Sequence, residues 1–214
     1  MTVRVKVCGL SRTQDLDAAI QCGADAVGFV VGFPESPRNL DLSRAKKLIK
    51  RTPPFLTSVV VCPSQTPLIR QIVMELQPNA LQVYGNVDGG KLMATCAGSK
   101  VIRPVAVGGE RDLHKARVLS RECDAIILDT RVKGVLGGSG IPINLELARK
   151  AGKLVAPRPL ILAGGLTAEN VARAVKAVQP YAVDVSSGIE TAPGRKDRLR
   201  MKSFILSAKS VGTH

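Results

Sequence analysis

Aromatic side chains and histidines are scarce in this sequence. Tryptophan is absent, and the 214 residues include only two tyrosines and four phenylalanines. Proteins that bind single-stranded nucleic acid stack its bases on aromatic rings, so this shortage argues against that class of protein. The two histidines are His114 and the terminal His214. We therefore expect any proton transfer near neutral pH to depend on carboxyl, thiol, tyrosine or lysine groups.

Long hydrophobic runs and paired cysteines are also missing. The longest apolar stretches, such as residues 26–33, fall far short of the ~20 residues that a membrane-spanning helix needs. The N-terminus alternates apolar with basic residues, unlike the continuous apolar stretch of a secretion signal. The five cysteines form no C-x-x-C pair, so neither a zinc site nor a disulfide framework is indicated. These absences predict a cytoplasmic protein with no membrane partner and no metal.

The composition that is present indicates a folded chain. Hydrophobic residues make up 45% of it, which is too high for a disordered protein, and the length suits one domain over residues 1–214. Lys and Arg number 31 against 17 Asp and Glu, giving a net charge of +14. Such a charge keeps a nucleic-acid-binding module open as an alternative. The basic runs at 44–51 and 195–202 are interpreted as solvated helix faces, so no specific nucleic-acid partner is expected.

Short β-branched runs alternate with helical stretches along the whole chain. The predicted strands span residues 3–8, 26–31, 55–61, 80–84, 101–107, 125–128, 159–163 and 181–185. Eight strand–helix units in strict alternation favour an α/β fold, a single-domain (β/α)8 TIM barrel. An open doubly wound sheet is the alternative. It would normally carry a G-x-G-x-x-G turn after its first strand, where residues 8–11 read Cys-Gly-Leu-Ser.

In such a barrel, functional residues lie at the carboxyl ends of the strands. The loops after the seventh and eighth strands are the usual phosphate site of the fold, because their glycines let backbone N–H groups approach an anion. Here they contain glycines and hydroxyls at Gly164, Gly165, Ser186, Ser187 and Gly188. Thr167 is predicted to cap the helix that follows the first of these loops. The sequence therefore predicts a phosphate-binding site at this end of the barrel.

A thiol and a carboxyl group are expected on the same rim. Cys8 ends the first strand and Asp129 ends the sixth. Taken singly, a packed thiol and a turn-forming carboxylate are the simpler interpretations. The glycine-rich segment 137–140 after Asp129 is either a cover for the site or a flexible loop.

The sequence resembles the phosphoribosylanthranilate isomerases of tryptophan biosynthesis. The matching segments run in order along almost the whole chain: Lys6-Val-Cys-Gly-Leu, Ser36-Pro-Arg, Leu128-Asp-Thr, Gly138-Ser-Gly, Ala163-Gly-Gly-Leu-Thr-Ala-Glu-Asn and Val183-Asp-Val-Ser-Ser-Gly-Ile-Glu. The first and third of them together are the most specific. The resemblance implies a cofactor-free Amadori rearrangement of an aminoaldose, N-(5′-phosphoribosyl)anthranilate, to an aminoketose. It also implies a small phosphoribosyl substrate as the partner, bound by a monomer or homodimer.

The resemblance further implies a role for each candidate residue. Asp129 matches the general acid that opens the ribose ring, and Cys8 matches the general base that removes the C2′ proton. Arg38 matches the residue that pairs with the anthranilate carboxylate, to which a planar guanidinium is well suited. The glycines and serines named above would hold the phosphate, with Asp184 beside them. Tyr84 stands where the family commonly has His, and we expect it to pack against the aromatic ring of the substrate.

Two other enzyme classes stay open. The related isomerase of histidine biosynthesis would ask for Asp at the first strand end, where this chain has Cys8. An aldolase-type barrel would need a lysine on a strand to form a Schiff base, and Lys6 is the one candidate so placed.

Overall fold

The computed structural model describes residues 2–130 and 143–211 and contains eight pairs of strand and helix. The strands are β1 (Arg4–Val7), β2 (Ala26–Val31), β3 (Thr57–Pro63), β4 (Ala80–Tyr84), β5 (Lys100–Val107), β6 (Ala125–Thr130), β7 (Leu160–Leu162) and β8 (Ala182–Val185). The helices are α1 (Thr13–Cys22), α2 (Leu42–Arg51), α3 (Thr66–Leu76), α4 (Gly89–Thr95), α5 (Glu110–Leu119), α6 (Leu145–Val155), α7 (Val171–Val178) and α8 (Arg198–Lys209).

The eight strands form a closed parallel barrel. Each strand pairs with the next one along the chain, and β1 also pairs with β8, with Arg4 opposite Ala182 and Lys6 opposite Asp184. The (β/α)8 architecture predicted from the sequence is therefore confirmed. Strand Asn39–Leu40 adds to the edge of β2, and Glu190–Ala192 pairs with Arg195–Lys196 as a small hairpin after β8.

Local sequence explains where several helices begin and end. Asp41, Asn144 and Asp197 precede α2, α6 and α8, and each carboxyl or amide oxygen accepts backbone N–H bonds from the first turn. Helix α1 ends at Gly23, whose φ of 83° is a left-handed conformation that glycine adopts without strain. These caps satisfy backbone groups that would otherwise lack partners at the helix ends.

The start of α7 differs from the prediction. Thr167 does not cap this helix, which begins at Val171 after Asn170. The Asn170 side chain accepts from the Thr167 N–H at 2.9 Å and donates to the Gly165 carbonyl at 2.8 Å. These two bonds hold residues 165–170 as a turn, so the helix starts three residues later than the sequence pattern suggests.

The barrel separates two apolar regions. Between strands and helices lies the larger core, which includes the fully buried side chains of Phe29, Leu81 and Phe204. Inside the barrel lies a smaller cluster of compact side chains, namely Val59, Ala80, Ile102, Ala125, Ile127, Ile161, Ala163 and Ala182. This cluster fills one end of the barrel, and open space lies toward the other end, where the strands finish.

Within the described ranges 2–130 and 143–211, no helix is long and apolar enough to cross a membrane.

The Phe204 ring is expected to be a major contributor to the outer core. We predict that Phe204→Ala lowers the free energy of unfolding by about 3–5 kcal/mol, since it leaves a cavity under α8. Leu206→Ala on the same helix is the control, because the Leu206 side chain is 60% exposed and its loss should change stability by about 0.5 kcal/mol or less. Urea denaturation of both variants checks this. Equal losses would show that α8 does not pack on the barrel through Phe204.

Candidate active site

One cavity of about 350 Å³ opens at the carboxyl ends of the strands. All ten residues singled out from the sequence line it: Cys8, Arg38, Tyr84, Asp129, Gly164, Gly165, Asp184, Ser186, Ser187 and Gly188. The barrel therefore brings together residues from six separate segments of the chain. The glycine-rich segment 137–140 lies outside the described residues.

The floor of the cavity is charged. The Lys6 ammonium on β1 donates to Asp184 Oδ1 on β8 at 2.8 Å and to Gln82 Oε1 on β4 at 3.2 Å. All three side chains are buried. Burial disfavours the Lys6 ammonium, but the Asp184 carboxylate and the Cys8 sulfur outweigh that effect, and the pKa of Lys6 is raised.

Cys8 lies directly above this floor. Its backbone N–H donates to the Val185 carbonyl at 2.8 Å, and its side chain is 8% exposed. A Cβ placed on Gly28 of β2 would lie 2.7 Å from the sulfur, so glycine is required there to make room for it. Burial raises the pKa of the Cys8 thiol, and the positive charge of Lys6 opposes that rise.

Asp129 closes β6 on the same rim. Its Oδ1 accepts the N–H of Thr130 at 2.7 Å. Burial raises the pKa of Asp129, and the hydrogen bond from Thr130 opposes that rise. The nearby Asp184 carboxylate raises the pKa further. A buried carboxyl group in this setting favours its protonated form more than an exposed one does. The arrangement is suited to donating a proton.

Aromatic side chains form one wall of the cavity. The rings of Phe33 and Tyr84 meet edge to face, with centroids 5.9 Å apart and planes at 87°. Gln82 donates through Nε2 to the Tyr84 hydroxyl at 3.1 Å. Burial, followed by the Asp129 charge, raises the pKa of Tyr84, so its hydroxyl stays protonated. This wall offers an apolar surface with one hydroxyl at its edge.

Arg38 enters the cavity from the loop after β2 and is held by a buried carboxylate. Its Nε and Nη2 donate to the two oxygens of Glu190 at 2.8 and 2.6 Å. Lys196, whose side chain is fully buried, donates to the same carboxylate at 2.7 Å and to the Ser186 carbonyl at 3.0 Å. Gly9 leaves the space that the Arg38 side chain occupies. Two cations thus share one anion beside the Ser186 loop, which leaves a net positive charge there.

The loops after β7 and β8 meet tightly. Gly164 and Gly165 have φ angles of 91° and 61°, which L-residues rarely adopt. A Cβ on Gly188 would collide with the Leu166 carbonyl oxygen. Glycine at these points lets the two backbones approach each other and line the cavity without side chains between them.

Five residues of the site escaped a full interpretation from the sequence, namely Lys6, Phe33, Gln82, Glu190 and Lys196. From the sequence alone, Lys6 is a candidate only as a Schiff-base lysine, and no role is predicted for Gln82. Strand alternation is the sequence signal that could have identified Lys6 and Gln82. Lys6 is two residues before Cys8 and shares the inward face of its strand, and Gln82 is likewise two residues before Tyr84. The prediction that Lys196 lies on a solvated helix face is wrong. It lies on the short strand before α8, fully buried against Glu190. Its neighbours Arg195, Arg198, Arg200 and Lys202 are exposed as expected.

Among residues 2–130 and 143–211, no group of three or more His, Cys, Asp or Glu side chains is arranged to hold a metal ion.

Comparison with known proteins identifies relatives along nearly the whole chain. Residues 5–207 match the family model of N-(5'phosphoribosyl)anthranilate (PRA) isomerase. The N-(5'-phosphoribosyl)anthranilate isomerase of Methanothrix thermoacetophila is 41% identical over 211 residues, covering 97% of this chain and 98% of that protein.

Solved structures are similar to the same extent. A crystal structure of phosphoribosyl anthranilate isomerase from Thermotoga maritima aligns with a TM-score of 0.88 at 34% identity, covering 98% of this chain and 100% of that one. A second structure of such an isomerase, in complex with reduced 1-(o-carboxyphenylamino)-1-deoxyribulose 5-phosphate, aligns with a TM-score of 0.85 at 34% identity over the same shares.

The Glu190 carboxylate is predicted to make stability depend on pH. Burial raises its pKa, but the bonds from Arg38 and the charge of Lys196 outweigh that effect and lower it. A lowered pKa in the folded state means that stability is present above the unfolded value of about 4.3 and is lost as the pH falls through the folded value. Glu190→Gln should therefore cost about 1–3 kcal/mol at neutral pH and much less near pH 3.

Urea denaturation of both proteins at the two pH values measures this difference. Glu110→Gln is the control, because the Glu110 side chain pairs with Lys150 on the surface and is 76% exposed. Its effect should stay near zero at either pH. A Glu190→Gln cost that did not change with pH would contradict the assignment of a charged Glu190.

Proposed function

The chain belongs to the N-(5'-phosphoribosyl)anthranilate isomerase family of tryptophan biosynthesis, and we propose on that basis that its cavity carries out the Amadori rearrangement of this substrate by acid–base catalysis without a cofactor. The product would be 1-(o-carboxyphenylamino)-1-deoxyribulose 5-phosphate. The observation that carries the proposal is the meeting of Cys8 and Asp129, from distant parts of the sequence, at the rim of one cavity.

Asp129 acts as the general acid in this proposal. It gives its proton to the ribose ring oxygen, the C1′–O bond breaks, and the anthranilate nitrogen forms a Schiff base at C1′. The carboxyl group must be protonated at the start of this step. Its burial and the neighbouring Asp184 carboxylate both favour that form.

Cys8 acts as the general base. It removes the C2′ proton, and the electron pair moves into the C1′–C2′ bond while the Schiff-base nitrogen becomes neutral. The enolamine then gains a proton at C1′ and loses one from the C2′ hydroxyl to become the ketone. No electrons enter or leave, so the reaction needs no redox cofactor.

The rest of the cavity suits the remaining parts of the substrate. Arg38 uses Nε and Nη2 on Glu190, which leaves Nη1 as a donor for the anthranilate carboxylate. Phe33 and Tyr84 supply an apolar wall for the aromatic ring. The backbone at Gly164, Gly165, Ser187 and Gly188 would bind the phosphate beside the net positive charge of the Arg38–Glu190–Lys196 cluster. Ser186 holds that cluster through its carbonyl.

The other enzyme classes find less support. A Schiff-base lysine must lose its proton to attack a carbonyl, whereas the ion pair with Asp184 keeps Lys6 protonated. The isomerase of histidine biosynthesis also finds less support, because Cys8 stands where that enzyme has Asp and residues 5–207 match the phosphoribosylanthranilate isomerase family. We also propose a single domain over 1–214, a cytoplasmic location, a monomer or homodimer, and no specific nucleic-acid or membrane partner.

Removing either proton-transfer group should abolish turnover. We expect Cys8→Ser and Asp129→Asn each to reduce kcat by at least about 10²–10⁴-fold, as is typical for loss of a general base or acid. The measurement follows the fluorescence of freshly generated phosphoribosylanthranilate. Cys22→Ser and Asp17→Asn are the controls, since Cys22 and Asp17 lie on α1 outside the cavity. A folded wild-type protein without turnover would refute the function, and activity retained in both site variants would refute the mechanism.

Arg38→Ala should weaken substrate binding. We expect KM to rise by about tenfold or more, because the variant loses charge-assisted hydrogen bonds to the carboxylate. Arg51→Ala is a matched control, since Arg51 also binds a carboxylate through Nε and Nη2, that of Asp17, but on the surface. Steady-state kinetics on both variants decide the point. An unchanged KM in Arg38→Ala would show that another group binds the carboxylate.

A further inference from the structure

The base assigned to Cys8 raises a physical difficulty. A thiolate, not a thiol, removes protons, and free cysteine has a pKa of about 8.5. Burial raises the pKa of Cys8 above that of a free thiol. A charge or hydrogen bond within the site must therefore offset burial if the sulfur is to act near neutral pH.

Lys6 is placed to supply that charge. Lys6 and Cys8 alternate with outward-facing Val5 and Val7 on β1, so both side chains enter the barrel one above the other. A Cβ placed on Gly28 of the neighbouring strand would lie 2.7 Å from the Cys8 sulfur and 3.2 Å from Lys6 Cε. The two side chains thus lie against the same point of β2.

Two acceptors on the cavity floor hold the Lys6 ammonium in place. Bonds to Asp184 Oδ1 at 2.8 Å and Gln82 Oε1 at 3.2 Å use two of its three protons. The register of β1 and β8 sets Lys6 directly opposite Asp184, so the carboxylate keeps the ammonium charged in the barrel interior. The remaining proton can serve the sulfur above it, and the charge and hydrogen bond of Lys6 both lower the pKa of Cys8.

We propose that Lys6 is a positioning residue for the Cys8 base: its ammonium, held by Asp184 and Gln82, stabilises the sulfur as a thiolate. This inference rests on the proposed function, in which Cys8 is the base. It also gives Asp184 two opposing effects, since its carboxylate keeps Lys6 charged but repels the thiolate. The charged and titratable groups around the sulfur are Lys6, Asp184, Arg38, Tyr84 and Lys196, with Asp129 on the same cavity wall.

The test is a pH titration of the Cys8 sulfur by its thiolate absorbance, taken as the difference between each protein and the same protein carrying Cys8→Ser. Lys6→Met should raise the titration midpoint by at least about one pH unit, or ~tenfold in thiolate content at a given pH below the midpoint.

The double variant Lys6→Met with Asp184→Asn separates the two effects. It removes both buried charges together, so it keeps the test open if Lys6→Met alone fails to fold around an unpaired Asp184. We expect its midpoint to stay above that of the wild type. A midpoint equal to the wild-type value would show that Lys6 only neutralises Asp184, and an unshifted Lys6→Met would reject the proposal directly.

Turnover separates this inference from the proposed function. The titration needs no substrate, so a wild-type protein without isomerase activity would refute the function and leave the thiolate result intact. If the function holds, the acid limb of the kcat profile should move upward in the folded Lys6→Met or double variant, together with the thiol midpoint. If kcat is lower at every pH but its pH dependence is unchanged, Lys6 has a structural role only.

Discussion

Closure of the parallel sheet is the constraint from which the site follows. Because β1 pairs with β2 on one side and β8 on the other, the inward side chains of all eight strands share one interior. An open sheet would leave the first and last strands apart. The same register sets Lys6 opposite Asp184, so the joint between β1 and β8 also carries the buried ion pair beneath the cavity.

The interior is layered along the barrel axis. Apolar side chains fill one end, where alanines such as Ala80 and Ala182 pack with larger residues such as Ile127. The charged group of Lys6 and Asp184 comes next, and Cys8 lies above it on the rim. The Lys6–Asp184 ion pair therefore lies between the apolar end of the barrel and the rim that carries Cys8. Burial raises the pKa of Cys8 and of Asp129, which favours the proposed role of Asp129 as an acid and opposes that of Cys8 as a base.

The two buried clusters of charge act at different points of the cavity. Lys6 counters burial at the sulfur, whereas Arg38 and Lys196 surround Glu190 at the mouth and leave a positive charge for an anionic substrate. Arg38 lies 152 residues from Glu190 along the chain, whereas Lys196 lies six residues from it. The positive charges thus include exposed residues on helix faces and a few buried cations, such as Lys6 and Lys196, whose positions are set by carboxylates.

The sequence by itself determined the architecture and most of the site. Alternating β-branched runs and turn residues specify eight strand–helix units, and the residue that ends each strand is readable directly, so Cys8, Asp129, Tyr84 and the paired glycines could be predicted. Strand limits differed from the structure by a few residues. These features are local, and local propensities and periodicity encode them.

The folded structure decided what depends on the partner that each side chain meets. Thr167 does not cap α7, because the side-chain bonds of Asn170 hold residues 165–170 as a turn and the helix begins at Val171. Lys196 reads as one member of a basic run, yet the hairpin after β8 buries it against Glu190. Whether Lys6 is a nucleophile or a fixed cation depends on Asp184, which is 178 residues away along the chain. Charge interactions of this kind depend on distance and burial in space, and neither quantity is set until the barrel closes.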